Sequence, residues 1–151
     1  MKWVTRERPK IDRIACPWLI SRFIDTNPEF LYVPAGDVLH IAHKTGATPY
    51  DIPGVTLSHD GEMCSFDAFL ARYSLDEPAL LQLAVIVRGA DTSRLDLAPE
   101  AAGLYAISLG LSHRFTSDHE MLEHGLVMYD ALYAWCRHCQ RESHNWPPQG
   151  E

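Results

Sequence analysis

The chain has no apolar run near the roughly 18 consecutive residues a membrane span needs, which excludes a helical membrane protein. Its opening, MKWVTRERPK, places charges where an export signal carries its apolar stretch. No Gly-rich phosphate loop, GxSxG elbow or Rossmann glycine signature is present. A surplus of positive charge is also missing. The net charge of −7 argues against nucleic-acid or anionic-membrane binding by this chain alone. Cysteine is sparse: Cys16, Cys64, Cys136 and Cys139 do not form a disulfide framework pattern and are expected as thiols in the cytoplasm. Repeats and low-complexity tracts are lacking. What remains is an ordinary globular mixture, 46% hydrophobic and 22% charged over 151 residues, which predicts one domain over 1–151.

Charge is distributed unevenly. Residues 1–22 carry a net +4 and the remainder −11, so the basic segment can dock on the acidic body or receive a small anion. Strands are predicted over 2–7, 30–33 and 55–57, the last ending near His59. Pro17 suits a first helical turn, which predicts a helix from about Cys16. Residues 36–44 read as a short helix stopped by Gly46. Longer helices are expected over 66–73 with Ser65 as cap, 78–89, 99–111, and from Ser117 or Asp118 to about His138. The fold class is therefore α+β, a small N-terminal β-sheet packed against a predominantly helical second half.

Five groups of residues carry candidate chemistry. In Asp12-Arg13-Ile14-Ala15-Cys16-Pro17, a cap position for Cys16 beside Arg13 would favour thiolate, and Arg13 with Arg22 would offer bidentate donors to an oxyanion. The alternative is a buried core cysteine with arginines paired to nearby aspartates. In His59-Asp60-Gly61-Glu62-Met63-Cys64, a glycine turn would let His59 and Cys64 converge on a metal or form a thiol–imidazole pair. Asp118-His119-Glu120-Met121-Leu122-Glu123-His124 is not a zinc-protease motif. Its histidines are five apart, about 140° around a helix, whereas His119 with Glu123 and Glu120 with His124 share faces. Cys136-x-x-Cys139 with His144 is half a zinc site at a fraying helix end, and packing cysteines explain it as well. Arg88 and Asp91, around the Gly89 helix stop, are candidates for an internal ion pair or a site.

The blocks IDRIACPWLI, EFLYVP, DIPGVTLSHDG, IVRGADT, AISLGLS and YDALYAWC, spread from about Trp3 to Cys136, resemble the C-terminal domain of the chromate-resistance ChrB family. Members accompany chromate transporters in bacterial resistance clusters. Full-length members are described as chromate-sensing regulators with a further N-terminal region, to which DNA binding would be assigned. The resemblance implies a chromate-stress accessory or sensor domain that binds an oxyanion, such as chromate or sulfate, or one divalent metal ion. On that reading Arg13, Arg22 and Arg88 position the anion and Cys16 or Cys64 is the reactive thiol. His59 and His119, then Glu123 and His124, are the expected metal ligands. The alternatives are a metal- or thiolate-dependent redox or hydrolytic enzyme, and a regulatory interaction domain that forms a homodimer.

Overall fold

A computed structural model describes residues 1–144, 146 and 147. A three-stranded parallel sheet forms from β1 (Lys2–Arg6), β2 (Glu29–Val33) and β3 (Thr48–Pro49), with β1 in the centre. Between β1 and β2 the chain crosses over through α1 (Asp12–Leu19), and between β2 and β3 through α2 (Val38–Thr45). Then follow α3 (Ser65–Arg72), α4 (Pro78–Asp91), α5 (Ala101–Arg114) and α6 (Asp118–Ala134). The expected α+β architecture is present. No described helix is long and apolar enough to cross a membrane.

Side-chain alternation explains how the sheet divides the interior. Trp3 and Phe30, paired across β1 and β2, join the large cluster shared with the helices. Val4 points the other way, with Leu31 and Val33, into a smaller cluster with Val38 and Ile52 beneath α2. A central strand covered on both faces reads as a continuous apolar run, and Trp3, Val4 and Thr5 are all fully buried. Gly46 ends α2 in the left-handed region at φ 73, where a side chain would be strained. Gly125 has a different role: a Cβ there would lie 2.4 Å from Ile14 Cγ2, so its absence lets α6 press on α1.

Four local expectations need correction. The helix at Cys16 starts earlier, at Asp12, and holds Pro17 in its interior. Pro17 forfeits the bond to the Arg13 carbonyl, and the chain then widens into a π-turn over Ile20–Ile24. Residues 55–57 form no strand; the third strand is Thr48–Pro49, because the backbone beside Trp3 and Val4 is taken there. The cap of α3 is Cys64, not Ser65, with its N–H donating to Asp67 Oδ2 at 3.0 Å. The last α-helix ends at Ala134 and continues as a π-turn, Trp135–Cys139.

Candidate metal centre

Three separate segments deliver the four residues of the candidate site. Asp12 opens α1, Asp91 closes α4, and Asp51 and His59 lie on the irregular stretch between β3 and α3. Two backbone positions aim these side chains. Ile11 is a β-branched residue at φ 43, with its carbonyl held by the buried Tyr129 hydroxyl at 3.0 Å. Asp51 itself sits at φ 53. Positive φ at non-glycine residues costs on the order of 1–3 kcal/mol and persists where the surroundings impose it.

All three carboxylates converge on one atom. His59 Nε2 lies 2.9 Å from Asp91 Oδ2, 3.3 Å from Asp12 Oδ2 and 3.3 Å from Asp51 Oδ1. An imidazole nitrogen carries at most one hydrogen, so it cannot satisfy three acceptors together. Metal–ligand bonds of about 2.0–2.2 Å place neighbouring ligand atoms roughly 3–3.5 Å apart, the range of these separations. Asp12, His59 and Asp91 each offer a ligand atom within 4.8 Å of the others. Asp12 and Asp51 are buried and Asp91 partly so, while the His59 side chain is 41% exposed, so the imidazole forms the solvent side of the cluster.

The remaining oxygens are anchored. Asp12 Oδ1 accepts from Cys16 Sγ at 2.9 Å, and its Oδ2 from the Ser65 backbone N–H at 2.8 Å. That amide is the first of α3, where the helix dipole favours negative charge. Asp51 Oδ1 accepts from Ser65 Oγ at 2.7 Å, and Asp51 Oδ2 meets Arg6 Nη2 at 2.8 Å and Arg13 Nε at 3.2 Å. Such support fixes ligand orientation. Even so, acceptors outnumber donors. Burial, then the neighbouring Asp12 and Asp51 charges, pushes Asp91 up to about 7. Burial and Asp12 likewise raise Asp51. His59 is drawn up to about 9, foremost by its hydrogen bond to Asp12, against its own desolvation.

Comparison with known proteins bears on this arrangement. The family model described as ChrB, C-terminal domain, matches residues 3–136, which include all four site residues. The chain belongs to the ChrB C-terminal domain family. It is 35% identical over 133 residues to Protein ChrB of Cupriavidus metallidurans, covering 87% of this chain. The chain spans about 40% of the length of that curated relative. No solved structure matches.

Within this ChrB C-terminal domain the residues singled out from sequence separate. His59 joins the carboxylates. His119 does not join it; its ring meets Tyr32 edge-on at 5.3 Å. His124 stacks on Phe115 at 4.5 Å, and Glu123 is exposed on α6. The Gly61 turn, bridged between Asp60 and Met63, directs Cys64 Sγ to Asp67 at 3.3 Å instead of to His59. Cys16 is the fifth residue of α1, not its cap, and it is fully buried. Burial and Asp12 push its thiol well up, the reverse of the expected thiolate stabilisation, and burial does the same to Cys64. Each expected anion-binding arginine faces an aspartate: Arg13 faces Asp51, Arg22 faces Asp130, and Arg88 faces Asp67. Cys136 is buried and Cys139 partly so, both as free thiols.

In the sequence Asp91 is marked only as an ion-pair or site candidate, and nothing marks Asp12 or Asp51 as a ligand. The one local hint was the company they keep, Asp12 before an arginine and Asp51 in a Pro-Gly turn. Neither pattern distinguishes a ligand from a surface aspartate.

Proposed function

We propose that this domain serves chromate resistance as a cytoplasmic accessory or sensor module that binds one divalent metal ion. Asp12, His59 and Asp91 hold the ion, and Asp51 Oδ1 is a further donor. The observation that carries this reading is the convergence of three carboxylates, two buried and one partly buried, on one imidazole nitrogen. A donor set of one nitrogen and several oxygens suits a borderline or hard cation such as Mn²⁺, Fe²⁺, Co²⁺ or Zn²⁺. A bound cation supplies Lewis acidity at the half-exposed edge of the site, next to His59. The chain's own groups orient it: Cys16 and Ser65 fix Asp12, while Arg6 and Arg13 fix Asp51. The metal reading is favoured over direct oxyanion capture because Arg13, Arg22 and Arg88 are each engaged by a carboxylate.

The test is elemental analysis of protein purified without a polyhistidine tag, followed by chelation and titration with Mn²⁺, Co²⁺ and Zn²⁺. About one ion per chain is expected, with a rise in Tm on re-addition. His59→Ala should weaken binding at least tenfold. A metal-free preparation whose Tm ignores millimolar amounts of every cation would overturn the reading.

A further inference from the structure

The exposed face of α5 is unlike the rest of the surface of this acidic chain. From Ala101 to Ser112 there is no Asp, Glu, Lys or Arg, although the chain carries a net charge of −7. An amphipathic helix buries its apolar side, yet α5 buries Ser108 and Ser112 beside Ala101 and Leu104. It leaves Tyr105 40% and Ile107 54% exposed. At about 100° per residue, Glu100, Gly103, Ala106, Ile107, Gly110 and Arg114 fall on one face, opposite the buried serines. Nothing lies within 4 Å of where a Cβ would stand on Gly103 or Gly110, so another backbone can come close there.

The charges at the two ends of this face identify the occupant. Glu100 and Arg114 each lie seven residues from Ile107, about 10 Å along the axis in opposite directions. Neither has an ion-pair partner among the described residues; Arg114 only covers the Phe115 ring, at 5.4 Å. An antiparallel copy of the same helix, related by a two-fold axis at Ile107, sets each Glu100 against the other copy's Arg114. It also keeps the uncharged middle against itself. Elsewhere two chains of charge −7 repel one another.

We propose that α5 is a homodimer interface, paired antiparallel with α5 of a second copy of this chain. One helix pair buries less than the roughly 800 Å² per partner of a stable complex, so the dimer dissociates on dilution. The proposal is independent of the metal centre.

Sedimentation velocity of the full chain over a hundredfold concentration range tests it. Mass should rise from the 17.1 kDa of the monomer toward twice that value as concentration increases. Ile107→Glu should weaken association at least tenfold with unchanged helical circular dichroism. Glu100→Arg and Arg114→Glu should each weaken it, and the double variant should restore it. A monomer at every concentration, which would assign this face to a different partner, would overturn the proposal. So would a dimer indifferent to Ile107→Glu, or a charge swap that fails to recover association.

Discussion

At Asp130 one carboxylate receives three donors; around His59 three carboxylates share one imidazole nitrogen. Trp18 Nε1 and Arg22 Nε both reach Asp130 Oδ1, at 2.8 and 2.9 Å, and Arg22 Nη2 reaches Oδ2 at 2.9 Å. These donors hold Asp130 below the usual carboxylate range, Arg22 foremost. At the other cluster, burial and mutual repulsion drive Asp51 and Asp91 upward. Both clusters brace α1 against a later helix, so position in the fold does not explain the contrast. Burial and the balance of donors and acceptors do, Asp130 being 45% exposed against 14% or less for Asp12, Asp51 and Asp91. A carboxylate whose lone pairs are filled by protein N–H groups is structural, whereas carboxylates left in excess around one point retain capacity for a cation.

The comparison can be broken most directly at Asp130. Asp130→Ala leaves the Trp18 indole N–H without its acceptor and Arg22 without its carboxylate. Loss of about 2–3 kcal/mol in urea unfolding is expected, with metal stoichiometry unchanged. If metal binding falls as well, the two clusters are not separable. Asp91→Asn should act in the opposite sense. It removes one repelling charge, so the metal-free protein should gain about 1–2 kcal/mol at pH 8 while its Tm stops responding to cations. A variant destabilised in the absence of metal would show that Asp91 is held by the protein alone.

The smallest effect is the sharpest in sign. Asp91 at about 7 and His59 at about 9 both lie above their ordinary values, so the metal-free fold binds protons that the unfolded chain has released. The Asp91 contribution is complete below the model-compound value of 3.8 and lost as pH rises through 7. That of His59 is complete below 6.5 and lost as pH rises through 9. Asp130, shifted downward, contributes above 3.8 and loses that contribution as pH falls. Chelated protein should therefore lose Tm progressively from about pH 4 to 9, through the Asp91 window and then the His59 window, and cation affinity should rise over the same range because binding displaces those protons. A flat profile in chelator would remove the electrostatic half of the contrast.

Much of the fold was legible because its signals are local. Short runs of strand-forming residues bounded by proline mark 2–7 and 30–33 as strands, within a residue of the observed 2–6 and 29–33, Gly46 stops α2, and Ser117 Oγ accepts from Glu120 N at the start of α6, as its residue type suggests. Pro17 misled because the rule for proline describes an isolated helix. Here packing of Ile14, Trp18 and Leu19 outweighs one lost hydrogen bond. The candidate site was legible as a metal ligand only at His59, with Asp91 marked no further than as an ion-pair or site candidate. The partners of His59 lie 47, 8 and 32 residues away along the chain, and spacing rules for metal motifs apply to ligands on one turn or helix.

The sequence by itself determined the class of fold and the family, because periodicity, capping residues and long matched blocks are written in neighbouring positions. Only the tertiary structure decided which charges are satisfied and which are in surplus. Whether an aspartate meets an arginine, as Asp130 meets Arg22, or other carboxylates, as Asp91 meets Asp12 and Asp51, depends on distances that chain order does not encode. Burial then amplifies that difference, since an ionised group in a low-dielectric interior depends on the few partners within reach.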